Sequence, residues 1–322
     1  MTGTPGEARQ SSYGTPGSND AMHGTLRTFA LMILLFGMFT LIGWLIGGFF
    51  LGDWVLGSLV FLALAGVMNF VSYFWAHKIV LWSYRAKIVT EAEAPRLYGI
   101  VRRAAELSHL PMPKVAIVPT KTPNAFATGR SPKNAVVAAT EGILDLLDDR
   151  ELTGVMAHEM AHVKDRDILV MSVAATVAGA IAFMARMMMF NLYFAPRNRD
   201  QEGGANVILA IVVAITAPLA AMLVQFAISR SREYKADYVG ATHLGAPNAL
   251  ADALQKLERA NDRRPMERGN PASASLWIVN PFRGGALVSI FSTHPPMKER
   301  VRRLRKLDDD MRSGRVAEGA PA

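Results

Sequence analysis

The sequence predicts a mainly α membrane protein, with four transmembrane helices and a small α+β domain split between two polar stretches. Three observations carry that reading. Apolar residues make up 51% of the 322 positions and charged residues only 19%, where soluble domains carry about a quarter. Four apolar runs, at 28–50, 54–75, 168–190 and 205–228, each reach the ~20 residues a helix needs to cross a bilayer. The polar stretches 77–167 and 229–312 mix helical spacing with short β-rich runs.

The first 22 residues are rich in Gly, Ser, Thr and Pro, so residues 1–24 are expected to form a disordered tail. They lack the charged start and small-residue cleavage site of a signal peptide, and the first apolar run reads as a retained anchor. Residues 25–76 make a first membrane hairpin, turning at Leu51, Gly52 and Asp53. Residues 168–228 make a second, with Arg186, Asn206 and Gln225 in or beside it and Pro218 as a kink. Buried helices of a large soluble core are the alternative for all four runs, and it carries more weight for the second pair because of those polar residues. Lys78, Arg85, Lys87, Arg96, Arg102 and Arg103 follow the second run, and Arg230, Arg232 and Lys235 follow the fourth. The bias of Lys and Arg toward the cytoplasmic side therefore places both termini and the 77–167 stretch there. Arg197 and Arg199 in the 191–204 loop weaken the asymmetry without reversing it.

Within 77–167, Leu97, Ile100, Val101, Ala104 and Leu107 recur at helical spacing over 91–108. Residues 114–119 and 135–139 read as strands, and 124–129 as an exposed strand or turn between them. Asp148 and Asp149 offer N-caps for a helix carrying Leu152, Val155, Met156 and His158. The stretch 229–312 is mostly helical, with a Gly-, Pro- and Asn-rich loop at 269–285, and the tail 313–322 is small and polar. No internal repeat is evident.

Composition narrows the chemistry. There is no cysteine, which removes disulfides, thiolate catalysis and cysteine metal sites, so any metal must use His, Asp or Glu. The net charge of +8 suits an anionic membrane surface; no nucleic-acid motif accompanies it.

His158-Glu159-Met160-Ala161-His162 fits the H-E-x-x-H pattern. Positions i and i+4 share a helix face, so both imidazoles can bind one ion. Glu159 points aside, toward a water that the metal acidifies, and is the candidate general base. A catalytic zinc needs a third protein ligand from among Glu, Asp and His. Glu233 and Asp237, four residues apart, allow Glu233 to bind the metal while Asp237 orients a ligating imidazole. The alternative is an ordinary helix end in which Glu233 pairs with Arg230 or Arg232. The apolar runs favour the ligand. His162 stands six residues before the third run and Glu233 five residues after the fourth. An antiparallel hairpin brings both segments out on one face, within about 10 Å of lipid at ~1.5 Å per residue.

The HEMAH segment with the following Lys164, Asp165, Arg166 and Asp167, the 231–237 block SREYKAD and the 291–296 block FSTHPP resemble the HtpX-type membrane metalloproteases, bacterial relatives of the prenyl-protein (CAAX) endopeptidases. The likeness spans about 25–310. It implies a zincin-like (gluzincin) catalytic domain, one Zn2+ held by His158, His162 and Glu233, and Glu159 as the catalytic carboxylate. It also implies residence in the bacterial cytoplasmic (inner) membrane as a multi-pass protein, with the catalytic domain facing the cytoplasm. The implied work is quality control of damaged membrane proteins under stress. Asp165 departs from the asparagine frequent in such sequences, and four spans do not match the larger topology of the prenyl-protein enzymes.

His294 is a further catalytic candidate, as a donor to the oxyanion; equally, its Ser-Thr-His-Pro-Pro turn fixes a loop and caps the next helix. Residues 124–127 read either as an edge strand that pairs with extended substrate or as a plain turn. Tyr234 reads as a packing or interfacial residue ahead of one that polarises the scissile carbonyl, Asp165 and Asp167 as helix caps or neighbours of the histidines, and Met184, Met187, Met188 and Met189 as lipid or helix packing ahead of a metal path. The reading is therefore an endopeptidase for membrane-associated or misfolded proteins. Its rivals are a scaffold keeping a structural metal, which has no use for Glu159, and a transporter, which lacks paired charges within the spans.

Overall fold

A computed structural model describes residues 18–48, 52–194, 229–266, 271–282 and 295–317. Helices α1 (Ser18–Ile46) and α2 (Trp54–Ser83) form the expected hairpin. Gly52 turns the chain at φ +70°, and the Asp53 carboxylate caps α2 by accepting from the N–H groups of Val55 and Leu56 at 2.9 and 3.0 Å. The helices close on glycine: a Cβ on Gly57 would stand 2.2 Å from the Gly43 carbonyl, so small residues set the approach. Both helices are long and apolar enough to cross a membrane, and only 28% and 22% of their apolar windows are buried. Ile33, Val55 and Val67 point outward, as lipid-facing side chains must. Helix α2 runs eight residues past the expected end of its apolar run at 75.

The third apolar run is helix α6, Asp167–Phe194. Its first part is not lipid-facing: Ile168, Val170, Val173, Ala174, Val177 and Ala178 are buried. Leu169, Val170, Val173, Ala174, Val177, Ala178 and Ile181 pack with Leu31, Leu35 and Phe39 of α1 and Ala65 of α2. On the other side Ser172 bonds Thr128 at 2.8 Å. This helix joins the hairpin to the polar domain. The fourth apolar run, most of the 191–204 loop and the methionine side chains at 184–189 lie outside the described residues.

The polar domain contains a four-stranded sheet in the order β1 (Lys87–Val89), β2 (Lys114–Val118), β4 (Ala135–Thr140), β3 (Ala125–Gly129). Strands β2 and β4 are parallel; β1 and β3 are antiparallel edges. Strand β1 and the short helix α4 (Glu141–Leu146) were not expected from the sequence. Strand β3 is an edge by hydrogen bonding, yet all five of its residues are buried, which corrects the expectation of an exposed segment. Both faces are covered. Val115, Ala125, Ala127, Val137 and Ala139 face the helical core, and Ala116, Val118, Phe126, Val136 and Ala138 face a second cluster with Tyr84 and Trp277. Strands covered on both faces are apolar throughout, which explains why the alternation is lost.

The helical core comprises α3 (Pro95–Leu107), α5 (Asp149–Lys164), α7 (Arg230–Leu244), α8 (Pro247–Arg263) and α9 (Met297–Arg312). Helix α5 is central, with every residue from Glu151 to Val163 buried. It starts at a capping box in which Asp148 accepts from the Glu151 N–H at 2.8 Å and Glu151 from the Asp148 N–H at 3.1 Å. Asp149, the other proposed cap, instead accepts from Arg96 at 2.7 Å. Removing the cap should cost about 1 kcal/mol. Asp148→Ala is therefore expected to lower the thermal midpoint of the polar domain in detergent; an unchanged midpoint would show that packing alone holds this helix end.

Candidate metal centre

His158, Glu159 and His162 lie on the C-terminal half of α5, and Glu233 and Asp237 lie on the first two turns of α7. The helices cross at a glycine. A Cβ on Gly240 would stand 2.7 Å from the His158 backbone nitrogen, so any larger residue would push α7 off α5.

The crossing brings the expected residues together. His158 Nε2 stands 3.9 Å from one Glu233 oxygen and His162 Nε2 stands 3.4 Å from the other. The rings are nearly perpendicular, with centroids 4.9 Å apart. One donor atom from each of His158, His162 and Glu233 falls within 4.8 Å of the others, a group that could hold a metal ion. The donor set is chemically suited to one: two imidazoles and a carboxylate, all buried.

Each imidazole has a carboxylate behind it. Asp237 Oδ1 lies 3.0 Å from His158 Nδ1, off the line of a well-aligned hydrogen bond, so the contact is chiefly electrostatic. Asp167 Oδ2 lies 3.5 Å from His162 Nδ1. Such partners fix which nitrogen faces a metal and raise its basicity. The expected role of Asp237 thus has its geometry. Asp167, at the start of α6, stands next to His162, and Asp165 pairs with Lys235 at 3.0 Å. Arg232 donates to Asp167 at 2.6 Å. Tyr234 packs under Arg303, 3.8 Å from its ring centroid.

The sequence reading missed Arg300. It is fully buried and donates twice to Asp237, at 2.7 and 2.6 Å, and once to the Ile278 carbonyl at 2.9 Å. It also stands 3.7 Å from Glu233. Burial opposes ionisation of Asp237, but Arg300 outweighs it and holds the carboxyl below its ordinary range. A signal was present: Arg300 is in helical phase with Leu304 and Leu307, on the apolar face of α9. The surrounding run of exposed arginines hid it.

Glu159 is 3% exposed, and the Ala127 N–H of strand β3 donates to its carboxylate. Burial, aided by Glu233, pushes its pKa up to about 7 against the pull of His162 and Arg300. Burial pulls the His158 pKa down. Burial does the same at His162, but Asp167 and Glu233 more than offset it.

The expected substrate strand is partly engaged. Asn124 donates to the Val279 carbonyl at 2.5 Å, and Ala125 accepts from the Ile278 N–H at 3.2 Å. Trp277 is wedged edge-on against Tyr84 and Phe126, 4.8 Å from each. Residues 277–279 therefore cover the start of the β3 edge. His294 lies outside the described residues.

A buried histidine pair and carboxylate, beside a carboxyl poised near neutrality and under a hairpin of apolar helices, define a membrane-associated metalloprotease. Comparison with known proteins agrees. The chain belongs to peptidase family M48, whose model matches residues 91–308. The Protease HtpX homolog of Thermococcus kodakarensis is 51% identical over 288 residues, covering 89% of this chain and 97% of its own. The homologs of Pyrococcus furiosus and Syntrophotalea carbinolica are 50% and 51% identical over 286 and 283 residues, covering 89% and 88% of this chain and 96% and 98% of theirs. Among solved structures, that of S. mikatae Ste24p is similar with a TM-score of 0.43 and 16% identity, over 89% of this chain and 67% of that one.

The close crossing makes a test that replaces no ligand side chain. Gly240→Ala should displace α7 and lower metal affinity by roughly tenfold, the scale of losing an outer partner of a ligand. Titration of the apoprotein with Zn2+ measures it, and unchanged affinity would show that the helices can shift without moving Glu233.

Proposed function

We propose that this protein is a zinc-dependent endopeptidase of the cytoplasmic membrane that cleaves misfolded or membrane-associated proteins. The observation that carries the reading is the convergence of His158 Nε2 and His162 Nε2 on the Glu233 carboxylate, with Asp237 and Asp167 behind the two rings. His158, His162 and Glu233 would hold the ion. Two imidazoles and one carboxylate match catalytic zinc, though other divalent ions accept the same set. Bound there, the metal would supply Lewis acidity toward a carbonyl oxygen and a water.

The chain's own groups do the rest. Glu159 takes the proton of the attacking water and returns it to the leaving amine, and it is buried beside the candidate ligands with the Ala127 N–H directed at its carboxylate. Arg300 holds Asp237 ionised, and Asp237 keeps the His158 ring oriented. Asp167 does the same for His162. Strand β3 is the candidate rail for an extended substrate, because Ala127 joins the sheet edge directly to Glu159. His294 remains the candidate donor to the oxyanion.

The apolar hairpin supports substrates that lie at the lipid surface. Asp167, next to His162, is the first residue of helix α6, so the site stands within a turn of a helix packed on that hairpin. The cations after α2 support a cytoplasmic position for the domain, in a multi-pass chain whose second hairpin would be completed by the 205–228 run.

Two variants test the assignment. Glu159→Gln should cut casein hydrolysis by about 100-fold or more while bound zinc is unchanged. Equal cleavage by variant and wild type would sink the mechanism. Glu233→Ala should lower zinc affinity beyond the ~10–100-fold of an outer-partner loss; unchanged zinc content would remove Glu233 from the ligand set.

A further inference from the structure

We propose that a basic basin at the foot of α2 binds the phosphate-bearing headgroup of an anionic phospholipid. Two adjoining cavities form it. One, of about 790 Å3, is lined by Ser83, Tyr84, Arg85, Lys121, Arg263 and Arg264 among others. The second, of about 490 Å3, shares Lys121, Arg263 and Arg264 and adds Lys256 and Arg259. Among the described residues, six cations line the joined basin, and Asp145 is the one carboxylate in its wall.

Two of the cations are already neutralised. Lys121 pairs with Glu141 and Asp145 at 3.3 and 3.2 Å, and Lys256 with Glu151 at 2.7 Å. Arg85, Arg259, Arg263 and Arg264 have no side-chain partner among the described residues. A helix C-terminus accounts for one or two arginines through its dipole. It does not account for four from two separate segments that surround one concavity. Their forked donors match the geometry of phosphate oxygens, and an anion between them relieves their mutual repulsion.

The position of the basin points to lipid as the source. Helix α2 has 30 residues, about 45 Å at 1.5 Å each, which equals the thickness of a bilayer with its headgroups. Trp54, packed 4.4 Å from Trp44, marks one end. Trp82, 81% exposed, marks the other, and exposed tryptophans at helix ends sit at the headgroup level. Arg85 follows Trp82 by three residues. Arg130 lies 5.3 Å over the Phe74 ring and 5.9 Å over the Tyr73 ring, so the polar domain also rests on this end of the helix.

The test uses the full-length protein in nanodiscs of equal phosphatidylglycerol and phosphatidylcholine. After mild detergent extraction, native mass spectrometry counts the retained lipid. Wild type should retain phosphatidylglycerol in excess, and R85Q/R263Q/R264Q should lose at least about tenfold of that excess, given about fivefold per cation near a membrane surface. R103Q/R150Q removes two exposed arginines outside the basin and should keep the excess. Equal loss in both variants would reduce the effect to general electrostatics and overturn a built site. A wild type with no preference for phosphatidylglycerol overturns it without any variant. Displacement of the lipid by millimolar inorganic phosphate would assign the basin to a soluble anion and overturn the lipid assignment.

Discussion

The structure turns on the burial of charge between α5 and α7. His158, Glu159, His162, Glu233, Asp237, Asp167 and Arg300 are each 5% exposed or less. Charges taken out of water are tolerated only when paired and hydrogen-bonded. Each partner here therefore constrains the others: Glu233 faces two imidazoles, each imidazole has a carboxylate behind it, and Arg300 joins Asp237 to residues 277–279. A divalent cation suits this arrangement, because four buried carboxylates outnumber the permanent cations among them. The close crossing at Gly240 is the steric condition that lets the network form.

The same network ties the site to the membrane part. Asp167 is the first residue of α6 and contacts His162, Arg232 and, at 3.6 Å, Arg27 of α1. Arg166 reaches Thr25 of α1 at 3.3 Å. Displacing the hairpin relative to the polar domain would thus move a partner of a candidate ligand. Helix α6 serves as a strut between two cores, its apolar face packed on α1 and α2 and its polar face touching strand β3.

Much of this was legible in the chain. The first two spans, the capped helix bearing the histidines and the strands β2 and β4 follow from length, caps and composition, which are local properties. Glu233 was singled out on the expectation that an apolar hairpin returns the chain to the face it left, and the structure places its carboxylate 3.9 and 3.4 Å from the two imidazoles. Arg300 was hidden because a buried arginine and an exposed one read alike within a basic helix; only the phase with Leu304 and Leu307 separates them. The burial of β3 was not legible because its cover comes from distant segments, Ser172 of α6 bonding Thr128 and Trp277 packing on Phe126. The packing of the first part of the third apolar run on α1 and α2 could not be read from its composition, because a helix buried in protein and one buried in lipid need the same apolar side chains.

The sequence by itself determined that two imidazoles and a carboxylate share one helix turn, because the H-E-x-x-H spacing places them there through backbone geometry alone. It also determined that the protein meets a membrane, because apolar length is a sum over neighbours in the chain. The tertiary structure decided how the site is charged. The placing of Arg300 against Asp237 and of Ala127 against Glu159 joins residues 63 and 32 positions apart. Only packed helices and a sheet edge set those distances, and Coulomb interactions in a buried site depend on distance rather than on order along the chain.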